Sequence, residues 1–348
     1  MWVYLVCLLA FLWLVPRLVH RRHDLARFDA DCAERFGAGD EVRAELQRVF
    51  KSLRREAPAD APKGRFAQMR ARMDALFSDN EHDAAITEVD QDGVRGEWVL
   101  APGADANRRV LYIHGGAFIM GSPLSHRTIT AKFSAMVGGA VLSLDYRLMP
   151  EHPRLASVED CRAAYRFLLD NGPEGAAPAD ALFVAGDSAG GNLTLSLLAW
   201  IRDEGLRKPN AAVALSPMTD ATLSSPSWRQ NLKTDIVLGR MGGLVARVPS
   251  TLIYWGSWLQ MRVRPHAPVV SPIHGPLGGL PPLLVHASEV EMLRDDARRY
   301  VNRAVAEGSP VKLQTWDDML HVWHIFHPEL TAARDAFDQI EAFLAEHG

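Results

Sequence analysis

The chain has 348 residues, enough for one large α/β domain or two smaller ones, and its 48% hydrophobic and 23% charged residues are ordinary globular usage. A net charge of −4 gives no electrostatic reason to expect nucleic acid as a partner. The three cysteines, Cys7, Cys32 and Cys161, are widely spaced and outside any CxxC pattern, which argues against a disulfide framework and against a zinc site.

The N-terminus departs from this composition. Residues Met1 to Val15 read MWVYLVCLLAFLWLV, an uncharged apolar run without the basic n-region or small-x-small site of a secretory signal. At about 1.5 Å per residue it spans roughly 22 Å, short of a hydrocarbon core near 30 Å, and Pro16 to Val19 bring it close to spanning length. Arg17, Arg21, Arg22 and Arg27 all follow the run, which favours a cytoplasmic location for what comes next. Residues 1–22 are therefore expected to anchor the chain in a membrane. Export, or a helix packed on the protein itself, are the other readings.

From Glu41 to Ala57, apolar Val42, Leu46, Val49, Phe50 and Leu53 recur at helical spacing, and Phe66, Met69, Met73, Leu76 and Phe77 do so again. Both stripes are one-sided, so two helices packed on the main body are expected. After Asp83 come β-rich runs at Ile86–Val89, Gly96–Leu100 and Val110–Ile113. Strand and helix then alternate: Val141–Leu144, a helix around Val158–Leu169, Ala181–Ala185, a helix from Asn192 to Glu204, then strands at Ala211–Leu215, Leu283–Ala287 and Val311–Trp316. Such alternation predicts an α/β fold with a mainly parallel central sheet and helices on both faces. The insertion from Ser216 to Pro281, with Trp228, Trp255 and Trp258, interrupts it and could wall a pocket.

Three elements carry chemistry. Ser188 lies in Gly186-Asp187-Ser188-Ala189-Gly190, between a strand and a helix, where a tight turn lifts a serine above the sheet edge and glycines remove clashing side chains. The positive end of the following helix lies nearby. His114-Gly115-Gly116-Ala117-Phe118 follows the strand Val110–Ile113, and consecutive glycines let backbone N–H groups approach a developing oxyanion. His321, after the last strand, stands where a base belongs in the order serine, acid, histidine. His324 and His327 lie close by, but no cysteine or carboxylate pattern completes a metal site. The acid that would orient His321 is open at this point among Glu291, Glu289 and Asp295.

HGGAF at 114, DYRLMPEHP at 145–153, GDSAGG at 186, SPMTD at 216, GLPPLLV at 279, EMLRDDA at 291 and MLHVWHIFHP at 319 together resemble the hormone-sensitive-lipase-like family of bacterial esterases, from about Leu111 to the C-terminus. The resemblance implies an α/β-hydrolase fold over residues 40–348, with the helices at about 40–79 forming a cap. It implies Ser188 as nucleophile, His321 as base and Glu291 as acid, with Asp295 at a second, structural position. The family's usual acid is aspartate, and a glutamate is one methylene longer. The oxyanion hole would comprise Gly116, Ala117 and Ala189, with Gly115 alongside; Ala117 stands where the family often has a third glycine. DYRLMPEHP would brace the nucleophile region. The implied activity is hydrolysis of short to medium acyl esters, small molecules, without metal or organic cofactor. The same triad serves amidases, deacetylases and lactonases, and a pseudo-hydrolase that only binds ligands is the remaining alternative.

Overall fold

The apolar runs expected as strands pair into one sheet of nine strands in a computed structural model that describes residues 10, 12–18, 24–37, 39, 42–53, 56–78, 82–243 and 247–348. In chain order the strands are β1 (Glu34–Phe36), β2 (Ala85–Gln91), β3 (Val94–Leu100), β4 (Asp105–Ile113), β5 (Gly139–Leu144), β8 (Ala181–Asp187), β9 (Ala211–Leu215), β10 (Leu283–Ser288) and β11 (Val311–Trp316). The two-residue strands β6 (Asn171–Gly172) and β7 (Gly175–Ala176) pair separately. Across the main sheet the order is β1-β11-β10-β9-β8-β4-β5-β3-β2. Only β2 with β3 and β3 with β5 pair antiparallel; every other neighbour is parallel. The fold is therefore the mainly parallel α/β sheet that the alternation predicts, in the α/β-hydrolase arrangement that the family resemblance implies.

The helices are α1 (Val42–Ser52), α2 (Arg65–Phe77), α3 (Arg127–Val137), α4 (Arg154–Asp170), α5 (Ala189–Asp203), α6 (Ser227–Gln230), α7 (Leu238–Gly242), α8 (Ser250–Met261), α9 (Arg294–Ala306) and α10 (Thr331–Ala345). Successive strand residues point to opposite faces, so each strand feeds two cores. Leu111, Ile113, Leu182 and Val184 pack with α4, α5 and α9 through Tyr165, Leu197 and Tyr300. Val110, Tyr112, Phe183 and Ala185 face the other way, onto α3, α10 and α1 through Phe133, Phe337 and Val49. Two covered faces explain why β4 and β8 read as continuous apolar runs. The edge strand β2 is mostly exposed and carries Glu88 and Asp90, charges that discourage pairing with another chain.

β1 has no counterpart in the sequence reading. Its three residues pair with β11, and Phe36 stacks on Trp316 with ring centroids 4.5 Å apart. So distant a partner leaves no local periodicity to detect.

The anchor expected over residues 1–22 lies largely outside the described residues. Residues 12–18 are helical, and no described helix is long and apolar enough to cross a membrane. The Trp255 indole N–H donates to the Leu12 carbonyl at 2.8 Å, so this stretch meets α8.

Candidate active site

β8 runs straight into α5, and the turn between them consists of Ser188 alone. Its φ of 52° and ψ of −113° lie where an L residue is strained, at a cost of about 1–3 kcal/mol. The Ser188 N–H donates to Leu215 O at 2.7 Å, and the Asn192 N–H donates to Ser188 O at 3.0 Å. The flanking glycines are required sterically: a Cβ on Gly190 would lie 1.8 Å from Ile113 O, and one on Gly186 would lie 2.6 Å from the same atom.

His321 occupies the loop after β11. The Ser188 hydroxyl donates to His321 Nε2 at 2.8 Å, and His321 Nδ1–H donates to Glu291 Oε2 at 2.6 Å. Glu291 is fully buried, and its Oε1 accepts the Ser288 N–H at 2.8 Å at the end of β10. The other two carboxylates left open by the sequence point elsewhere. Glu289 takes Arg298 Nη2 on both oxygens at 2.8 Å, while Asp295 takes the Ser227 N–H at 2.9 Å and Arg294 Nε at 2.8 Å. Burial disfavours the His321 imidazolium, yet the hydrogen bond and charge of Glu291 outweigh burial and hold its pKa above the ordinary histidine value. Burial also pushes the Glu291 carboxyl upward, against the opposing pull of His321.

The loop after β4 passes beside this line. Gly116, Ala117 and Phe118 all have positive φ, at 116°, 54° and 63°. The amides of Gly116, Ala117 and Ala189 have no protein acceptor among the described residues. Gly115 departs from its expected role in the oxyanion hole. Its N–H donates to Asp187 Oδ1 at 3.0 Å, so it is not free for a substrate oxygen. A Cβ at Gly115 would lie 2.1 Å from Asp187 Oδ2, so glycine there permits the close approach.

Asp187 belongs to a buried network. The Tyr112 hydroxyl donates to Asp187 Oδ1 at 2.7 Å, and His126 Nε2 lies 3.4 Å from Oδ2. Burial acts to raise the Asp187 pKa, but His126 and Tyr112 together hold it below the usual carboxylate range. The DYRLMPEHP segment braces the same region: the Tyr146 hydroxyl donates to His114 O at 2.9 Å and its ring stacks on His114 at 4.2 Å. Arg147 pairs with Asp160 at 2.7 Å, and Glu151 pairs with Arg70 of α2 at 2.7 Å.

Sequence reasoning missed two polar residues. Asp235 is buried; Oδ1 accepts the N–H groups of Val237 at 3.0 Å and Leu238 at 2.8 Å, while Oδ2 accepts the Met292 N–H at 2.8 Å. One carboxylate thus caps α7 and holds the peptide that follows Glu291. Its place just before a helix was the available signal, and that signal says nothing about Met292. Arg154 is buried without a carboxylate partner among the described residues; it donates to Asn192 Oδ1 at 2.7 Å and lies 3.8 Å over the Phe118 ring. His324 is no ligand of the site: its Nε2–H donates to His286 Nδ1 at 3.1 Å, and burial holds both rings' pKa values low. His327 packs edge-on against Phe337.

Ser188 and His321 sit at the base of a cavity of about 510 Å³. Its walls come from α1 and α2 through Phe50, Leu53, Met69, Met73, Leu76 and Phe77. The insertion contributes Ile236, Val237 and Leu238, and the histidine loop Val322, Ile325 and Phe326. The insertion's tryptophans do not line it; Trp255 and Trp258 stack on each other within α8, with ring centroids 5.2 Å apart. The lining is apolar except around the catalytic-type polar groups and two guanidiniums, Arg72 and Arg240.

A family model for the α/β hydrolase fold matches residues 110–325. The chain is similar to an acetyl-hydrolase of Streptomyces hygroscopicus, 39% identical over 248 residues that cover 71% of this chain and 78% of that protein. Among solved structures it is similar to an esterase/lipase from an uncultured bacterium, with a TM-score of 0.75, 37% identity and coverage of 89% of this chain and 99% of the other. An esterase of the bacterial hormone-sensitive lipase family superposes with a TM-score of 0.74 at 36% identity, over 87% of this chain and 98% of the other.

Proposed function

Because the chain belongs to the hormone-sensitive-lipase-like esterases of the α/β-hydrolase superfamily, and is a serine hydrolase of the carboxylesterase kind, we propose that Ser188, His321 and Glu291 cleave short to medium acyl esters through an acyl-enzyme. The observation that carries this reading is the unbroken line Ser188–His321–Glu291, at 2.8 and 2.6 Å, at the base of an apolar cavity.

Ser188 Oγ attacks the acyl carbon while its proton passes to His321 Nε2. The carbonyl oxygen becomes an oxyanion and accepts hydrogen bonds from Gly116, Ala117 and Ala189, whose amides need no reorganisation to meet it. The imidazolium, stabilised by Glu291, returns the proton to the departing alcohol oxygen and the C–O bond breaks. Water then attacks the acyl-enzyme with His321 again taking a proton, the bond from the acyl carbon to Ser188 Oγ breaks as that proton returns to Oγ, and the free acid leaves. Glu291 stays ionised throughout. The helices α1 and α2 act as a cap whose apolar side chains receive the acyl chain, and the name of the Streptomyces relative supports small acyl groups.

A series of p-nitrophenyl esters from acetyl to hexadecanoyl, with matched anilides, tests the reading on the native chain and two variants. Turnover is expected to peak at short or medium chains, and esters to exceed anilides. Ser188→Ala should lower kcat by about 10⁴ or more. Retained activity in that variant would remove Ser188 as nucleophile, and faster anilide cleavage would make the enzyme an amidase. Residues 1–22 are further proposed to hold the enzyme at a membrane with the catalytic domain on the cytoplasmic side, which the arginines after the apolar run support. Protection of a C-terminal tag from protease outside intact cells is the expected result; digestion would favour export.

A further inference from the structure

Six of the nine large hydrophobic side chains exposed on the described chain lie on two short helices. Leu12, Trp13, Leu14 and Leu18 belong to the helix over 12–18, at 37%, 53%, 46% and 52% exposed, and Leu252 and Leu259 belong to α8, at 61% and 82%. The hydrogen bond from Trp255 to Leu12 O joins the two helices. The two helices thus adjoin, and exposed apolar side chains concentrated on adjoining elements mark an interaction site.

Charge identifies the partner. The protein as a whole is acidic at −4, yet residues 1–23 contain no aspartate or glutamate, and neither does the stretch from Ile236 to Ser288. From Pro249 to Met261 there is no charged residue of either sign. Exposed arginines lie on or flank the two helices in sequence: Arg17 in the first, stacked over Trp13, Arg247 shortly before α8, and Arg262 and Arg264 just after it. A cleft of about 720 Å³ where the two helices meet the body is lined by Trp13, Leu14, Arg17 and Arg229, with Asp24 the one carboxylate among its lining residues. Exposed leucines, amphipathic tryptophans at Trp13, Trp255 and Trp258, and flanking arginines suit a bilayer interface, where acyl chains take the leucines and anionic headgroups the arginines.

We propose that α8 and the helix over 12–18 form one surface that seats on anionic phospholipid bilayers. This rests on the membrane reading of the N-terminal segment and extends it, since α8 lies far along the chain in the insertion that also supplies Ile236, Val237 and Leu238 to the active-site cavity. The bilayer would then be held by the same insertion that walls the acyl pocket.

Sedimentation of the full chain with phosphatidylcholine vesicles, with and without phosphatidylglycerol, tests the surface. Three proteins are compared: the native chain, Leu252→Glu/Leu259→Glu, and Leu5→Glu/Leu9→Glu. Hydrolysis of a soluble acetyl ester checks that each is folded. The α8 variant is expected to lose at least tenfold in vesicle partitioning while keeping that hydrolysis. If it binds as the native chain does and the N-terminal variant does not, the α8 surface is wrong and the anchor stands. If only the α8 variant loses binding, the anchor is wrong and the surface stands; if the native chain does not bind at all, both fall. Should the α8 variant lose its soluble-ester activity, Arg262→Ala/Arg264→Ala decides: it must lower the preference for phosphatidylglycerol vesicles at least threefold, and an unchanged preference overturns the proposal.

Discussion

Glu291 divides its oxygens between two tasks: Oε1 holds its own turn through the Ser288 N–H, and Oε2 holds the ring of His321. The first fixes the carboxylate, and the second raises the pKa of the base. His321 must be neutral to accept the serine proton, so activity should rise with pH through a value above that of free imidazole, about 6.5. Glu291→Gln keeps the size and removes the charge. It should move the acid limb of kcat/KM to lower pH and reduce kcat by about 10²–10⁴, measured on a p-nitrophenyl ester from pH 5 to 9. An unmoved limb would detach Glu291 from the base. Asp235 tests positioning at one remove. In Asp235→Asn one oxygen becomes a donor facing Met292 N–H or the α7 amides, so kcat should fall about tenfold with KM little changed. The acid limb should also move down, because the Asp235 charge adds to the raised pKa of His321; lowered stability with an unmoved profile would make Asp235 merely structural. Ser188 and His321 were legible in the sequence because chain order and flanking glycines are local facts. The acid was legible only through the family resemblance: three carboxylates crowd the stretch 289–295, and their spacing alone does not say that His321 approaches Glu291 and not Glu289 or Asp295. Gly115 misled for a related reason, since consecutive glycines announce a close backbone approach without saying which group approaches.

Helices α1 and α2 show what periodicity conveys and what it omits. Their one-sided stripes predicted helices needing a surface, and the structure gives Val42, Leu46 and Val49 to the core and Met69 and Met73 to the cavity, with Leu76 touching both. The division follows from where the helices dock, which no spacing within them encodes. Docking of α2 centres on Arg70, whose guanidinium pairs with Glu151 and donates to Met149 O at 3.0 Å and Ile119 O at 2.8 Å. The salt bridge is exposed on the Glu151 side, so the carbonyl contacts hold more of the value. Arg70→Ala should raise KM for a butyryl ester several-fold with kcat within about twofold, and a fall in kcat alone would show that α2 acts on the catalytic line instead. The strands were readable wherever two covered faces made them continuously apolar. β1 was not, because its three residues derive their strand character from β11.

Across the whole molecule, one buried carboxyl opposes stability at neutral pH. Burial and the neighbouring Asp220 push the Asp296 pKa from the ordinary 3.8 up to about 7. Between about pH 4 and 7 the native state holds a proton that the unfolded chain has released, so stability falls as pH rises, by up to about 1.4 kcal/mol per pH unit. Asp296→Asn should flatten that decline, seen as a melting temperature that exceeds the native chain's by more at pH 8 than at pH 5. Parallel curves would show that Asp296 does not titrate in this window. The alternation of strand and helix foretold the fold class, but this penalty depends on two distant aspartates meeting in the interior and has no trace in a count of charges.

Asp187 precedes Ser188 by one residue, and the Gly115 amide it grips precedes Gly116 by one residue. The two halves of the site, from separate strands, are thus referenced to a single carboxylate. The hydrogen bond from Gly115 to Asp187 therefore fixes the spacing between the serine turn and the glycine loop across two strands that sequence order keeps far apart.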